Sequence, residues 1–181
     1  MSFSEKSLIT LELPAVLDML SHEAVSDAAK ERALALTPSA DAAEVKRRQE
    51  ETSAAKTMMT VRQSPSFAGV KDVRASLSRA DLGGALNTRE LMDIARVLQC
   101  ARLVRGYIAD DSVGKTCIDH LFYALRANKF LEEKISTSVV GEDEIADSAS
   151  PELANIRRKI RAAAARARDA LQKIISSPSY A

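Results

Sequence analysis

From Ser150 onward the chain reads as one long basic helix, and no other feature constrains its fold as much. Ser150-Pro151-Glu152 is a helix start, because a Ser side chain accepts from an orphan amide and Pro is pre-set for the first helical position. Leu153, Ile156, Ile160, Ala163, Ala167, Leu171 and Ile174 then recur at spacings of three and four, which is one apolar stripe. Arg157, Arg161 and Arg168 follow one border of that stripe, and Lys159, Arg166 and Lys173 follow the other. With Arg158, residues 153–175 hold seven Lys/Arg against one acid, Asp169, a net charge of +6. The whole chain is +1, so the remainder carries −5. A cationic helix leaving an acidic body is suited to a polyanion or to a partner helix. At 1.5 Å per residue it is roughly 35 Å long, a lever that continues elsewhere or one arm of a coiled coil.

The rest is helical too. The 181 residues suffice for one domain with a real core, or one domain and an appendage. Aromatics are 4% and Trp is absent, so the core must come from Leu, Ile, Val, Met and Ala, which favours helix-on-helix packing. Six Gly and five Pro are few for an all-β chain of this length. The class is all-α. Cys100 and Cys117 have no CxxC spacing and no metal-ligand relation to His22 or His120, so both read as reduced thiols. No signal peptide and no membrane-length apolar run is present, and the expected location is cytoplasmic.

Along the body, helical pieces alternate with short punctuation. Leu11–Ser21 is apolar-periodic, with Pro14 near its start. Ser26 caps a piece over 27–36, which Thr37-Pro38 ends. Asp41 and Glu44 form a capping-box pattern for a helix to about Arg62, whose thin apolar face predicts a surface position. Residues 63–69 are a Ser/Pro/Gly connector, and 70–80 a short helix ended by Gly83-Gly84. Asn87 and Glu90 again pair as a capping box, opening a helix that turns Leu91, Ile94, Leu98, Ala101 and Ile108 inward. Residues 115–127 and 129–137 make two more, broken near Asn128. Residues 139–147 read as a tight acidic turn between short extended pieces. The domains expected are a helical core over 1–149 and a truncated long helix over 150–181.

No catalytic constellation can be assembled. Ser112-Val113-Gly114-Lys115-Thr116 ends like a phosphate-binding loop, but position 109 is Ala where the first Gly belongs. Asp110 and Asp111 would also repel phosphate. Carboxylates such as Glu132/Glu133 look like solvated faces rather than a matched acid and base. No catalytic, cofactor or metal site is assigned. The basic helix is the one functional candidate, and Arg157, Arg158, Arg161, Arg166, Arg168 and Lys173 are the residues that would meet nucleic-acid phosphates. Two other readings stay open: the cations flank an ordinary helical pair, covering its apolar edge with their stems, or they meet an acidic protein partner. A stripe left uncovered would let the chain self-associate through 150–181.

Several segments in order carry a family resemblance. These are Thr10-Leu11-Glu12-Leu13 through Ala33-Leu34-Ala35-Leu36-Thr37-Pro38-Ser39; Glu50-Glu51-Thr52 leading to Phe67-Ala68-Gly69-Val70-Lys71-Asp72-Val73-Arg74; and Arg79-Ala80-Asp81-Leu82-Gly83-Gly84-Ala85-Leu86 with Glu90-Leu91. Ile145 through Leu153 with Ile156-Arg157, and Ser177-Pro178-Ser179-Tyr180, complete the set. Together they resemble the N-terminal region of the second bacterial branch of the MutS family, the Smr-containing MutS paralogues. Ala68 stands where that family usually has Gly, and Asn87-Thr88 where it has Ser-Pro. The resemblance implies a core (lever) domain like that of mismatch-repair MutS, with the helix after Ser150 rising toward a clamp. It implies a dimeric parent protein with an ABC-type ATPase using ATP and Mg, and an Smr-type endonuclease domain, all beyond Ala181. It further implies DNA-repair-related roles: binding branched DNA, suppressing homologous recombination and acting on collided ribosomes. On that reading this chain is a piece of a longer protein. The alternative is a self-contained helical interaction module with no nucleic-acid role.

Overall fold

The computed structural model describes residues 3–109 and 114–176. Among these the chain is all-α apart from one small hairpin. Its helices in order are α1 (Glu5–Thr10), α2 (Leu13–Glu23), α3 (Asp27–Leu34), α4 (Ala42–Arg62), α5 (Arg74–Asp81), α6 (Thr88–Gly106), α7 (Asp119–Tyr123) and α8 (Lys129–Ser138). An antiparallel pair, β1 (Val139–Gly141) and β2 (Glu144–Ile145), and a 3-10 turn (Asp147–Ala149) lead into α9 (Pro151–Ile175).

Caps set most of these boundaries. Ser26 accepts from the Ala29 amide, and Asn128 from the Leu131 amide, so Asn128 starts α8 rather than merely interrupting a helix. At α6 the box is reciprocal: Asn87 accepts from the Glu90 amide while the Glu90 carboxylate accepts from the Asn87 amide. Asp41 caps α4 through the Ala43 amide, but Glu44 does not close a box. Its carboxylate accepts from Ser39 and Arg48 instead. Gly83, at φ +83°, takes the left-handed conformation that ends α5.

Four boundaries differ from the sequence reading. A short helix, α1, precedes α2, capped by Ser4 and separated from it by Glu12 at φ +56°. The piece after Ser26 ends at Leu34, before Thr37-Pro38 is reached. The helix expected from residue 70 starts at Arg74, because Asp72 accepts from the Arg74 amide and holds residues 70–73 outside it. The helix expected over 115–127 shrinks to α7: the Thr116 amide donates to the Asp119 carboxylate, which fastens the loop before the helix. Residues 110–113, just ahead of that stretch, lie outside the described residues, as does the last resembling segment, 177–180.

The core lies between α6, α8 and β1, where Ile94, Ala95, Ile135 and Val139 are buried and Leu91, Met92 and Leu98 pack against them. Arg102 of α6 donates to both oxygens of Glu132 on α8, at 2.9 and 2.8 Å, and this paired carboxylate is itself buried. That core is thin. The chain presents 13863 Å² to solvent, whereas a compact monomer of this mass presents roughly 8,600 Å². Only Met58 is buried on α4, as its sparse apolar face implies.

Candidate nucleic-acid interface

The candidate surface is α9, and its geometry begins at the base. Ser150 accepts from the Leu153 amide and Pro151 opens the first turn. One carboxylate then fastens the helix to the preceding turn. Asp147 Oδ1 accepts from Arg157 at 2.6 Å, and its Oδ2 accepts from Arg161 at 2.9 Å. Arg157 also donates to the Ile145 carbonyl at 2.7 Å. Arg157 and Arg161 are one turn apart, and like charges at that spacing repel unless an anion lies between them. The two guanidinium groups, Arg157 foremost, hold the Asp147 carboxyl below its usual range.

Beyond that clamp the helix stands clear. Every described residue from Arg158 to Ser176 is exposed, including the stripe residues Ile160 (61%), Leu171 (60%) and Ile174 (51%). Arg158 donates to Asn155 of its own helix. Lys159, Arg166, Arg168 and Lys173 make no ion pair among the described residues. Lys159, Arg166 and Lys173 recur every seven residues, about 10.5 Å apart along one border of the stripe. At that distance, near the Debye length at physiological salt, neighbouring cations barely repel one another yet each can meet an anion. Lys173 also lies in the last turn, where the helix dipole favours a cation.

The six residues singled out from the sequence therefore divide. Arg157 and Arg161 converge on Asp147, while Arg158, Arg166, Arg168 and Lys173 are spread over the free length. Sequence reasoning did not find Asp147 as the anchor. Its signal was present, since Asp147 and Arg157 both lie in the fourth resembling segment.

The remaining chemistry is structural. Arg62 donates to the Tyr107 carbonyl, and the Tyr107 hydroxyl donates to the Met58 carbonyl at 3.1 Å while its ring stacks on Phe122. Of the phosphate-loop look-alike, residues 110–113 lie outside the described ones, and the Thr116 hydroxyl donates to Asp119. Cys100 and Cys117 are free thiols, and burial pushes the Cys100 thiol up. Both histidines are exposed. Among the described residues no cluster of three or more His, Cys, Asp or Glu could hold a metal ion, and no helix is long and apolar enough to cross a membrane.

No family model matches the sequence. Individual proteins do. The chain is 40% identical over 179 residues to endonuclease MutS2 of Ruminiclostridium cellulolyticum and 41% identical over 181 residues to that of Acetivibrio thermocellus, with 98% of the chain covered in each case. Endonuclease MutS2 of Agathobacter rectalis is 37% identical over 176 residues, covering 96%. The chain belongs to the MutS2 family. These matches agree with the resemblance to the N-terminal region of that family. The chain spans only 23% of the length of the first two relatives and 22% of the third. The all-α body and long terminal helix expected from that resemblance are present.

Proposed function

We propose that this chain is the mechanical core segment of a MutS2-type protein, with residues 1–149 as the helical body and 150–181 as the first arm of a lever. The observation that carries this reading is the clamp at Asp147. A 25-residue helix fixed at one end by two guanidinium groups, and exposed along the rest, has the form of a strut rather than of a core helix. Its length of about 37 Å would carry a rotation of the body to a distant tip.

In the whole protein such a strut would link an ATPase, working with ATP and Mg, to a clamp that encloses nucleic acid. Branched DNA is the substrate we assign to it, with suppression of recombination as the consequence. The same cationic surface would serve on the RNA of collided ribosomes. Arg158, Arg166, Arg168 and Lys173 are the phosphate contacts proposed, since Arg157 and Arg161 are spent on Asp147.

The test is reversal of those four charges to Glu in a full-length MutS2 protein carrying this segment, followed by titration of a four-way DNA junction over a range of salt. For every phosphate that is no longer neutralised, the plot of log affinity against log salt should flatten by about 0.9. Unchanged affinity with an unchanged slope rejects the contact role and leaves α9 a packing element.

A further inference from the structure

Asp147 holds its two arginines the way a phosphate would. Arg157 and Arg161 each send one N–H to a different oxygen of the same carboxylate, at 2.6 and 2.9 Å. Guanidinium groups take carboxylate and phosphate oxygens in the same geometry, so a phosphodiester with two free oxygens satisfies the same pair of donors. The carboxylate is not sealed in. The Asp147 and Arg161 side chains are 43% and 64% exposed, and Arg161 has no second hydrogen-bond acceptor among the described residues. Arg157 is held more firmly, since it also donates to the Ile145 carbonyl at 2.7 Å.

Arg157, Arg161 and Arg168 follow one border of the apolar stripe, and Arg168 makes no ion pair among the described residues. A polyanion lying along that border from Arg168 toward the body meets Arg161 next, about 10.5 Å on. The same two arginines carry the polar ties that join α9, beyond its Ser150 cap, to the turn before it. Displacing Asp147 therefore frees the base of the helix as it fills the site. We propose that Arg157 and Arg161 form a further nucleic-acid phosphate site, which Asp147 occupies in the free protein as an internal competitor. The inference rests on the contact role proposed for α9. It links phosphate binding to release of the helix base, so that each favours the other.

Titration of the 181-residue protein with a four-way DNA junction over a range of salt tests this. Asp147→Asn should bind on the order of three- to tenfold more tightly than the parent, because two partly exposed ion pairs no longer have to be broken. Asp143→Asn removes the same charge from the exposed hairpin, where Asp143 makes no ion pair, and should gain less than about twofold. Arg157→Gln/Arg161→Gln should flatten the plot of log affinity against log salt by about 1.8, two phosphates at about 0.9 each. Spin labels at Ser136 on α8 and Gln172 on α9, with Cys100 and Cys117 replaced, report the helix base directly. Their distance distribution should be narrow in the free parent, and altered both in free Asp147→Asn and in the parent saturated with junction. The inference falls if Asp147→Asn binds no more tightly than Asp143→Asn, or if the junction leaves the distribution unchanged. An unchanged salt slope in Arg157→Gln/Arg161→Gln sinks it too. If reversal of Arg158, Arg166, Arg168 and Lys173 still flattens the slope in that case, the contact role of α9 survives. A junction that the parent does not bind removes both.

Discussion

Ala164→Pro is the perturbation that most sharply probes α9 as a free-standing strut. Residue 164 lies in the exposed run Ala162–Ala165, where its side chain touches nothing that a proline ring would displace. The substitution removes the amide that donates one turn back and drives the ring against the carbonyl of residue 160, costing about 3 kcal/mol. The distal piece that remains, residues 165–175, is shorter than the roughly 12–15 residues below which an isolated helix is marginal in water. With no body contact to compensate, that piece should melt while the proximal half stays clamped by Asp147. Spin labels at Asn155 and Gln172, after replacing Cys100 and Cys117, should give a narrow distance distribution near 26 Å in the parent at a rise of 1.5 Å per residue. In Ala164→Pro the distribution should broaden, and the far-UV signal should fall by about a dozen helical residues. Ala164→Gly, which costs only about 1 kcal/mol, should do so weakly. If dilute Ala164→Pro keeps the narrow distance and the full helical signal, something other than local propensity holds α9, and the strut reasoning fails.

Two further outcomes follow from the body. Asn87→Ala removes one half of the reciprocal capping box at α6 and should lower stability by about 1 kcal/mol in urea unfolding, with an unchanged m-value. Glu132, held below its usual range first by the hydrogen bond from Arg102, should make the α6–α8 core acid-sensitive. Its folded carboxyl titrates below its unfolded one. The stabilisation is therefore complete above the unfolded value of about 4.3 and is lost as pH falls through the lower folded value. A Glu132→Gln variant should flatten that acid limb, and a limb of unchanged steepness would remove Glu132 from the account.

Local signals were legible in the sequence because they act over one turn. Ser150-Pro151, Ser26 and the Asn87/Glu90 box all do in the structure what their spacing says. The readings that moved did so through short side-chain contacts that compete with a helix start. Asp72 holds its own capping site and delays α5, and Thr116 turns the Asp119 carboxylate backward and shortens α7. α1 escaped notice because six residues carry too little periodicity to stand out. The clamp at Asp147 was not readable from helical periodicity, although Asp147 and Arg157 share one resembling segment. It needs the β1–β2 hairpin and the 3-10 turn to bring a carboxylate back beside a helix ten and fourteen residues further on. What the cations would do was likewise visible only as a pattern, and the structure separates those that anchor the helix from those left facing solvent.

The central claim is that α9 beyond the Arg161–Asp147 contact receives no support from the body of its own molecule. Amide hydrogen exchange of the dilute protein measures this residue by residue. Residues 166–175 should exchange as an isolated helix does, far faster than Ile94 and Ala95 in the core of α6. Protection of 166–175 equal to that of the α6 core at the lowest concentration would contradict the claim.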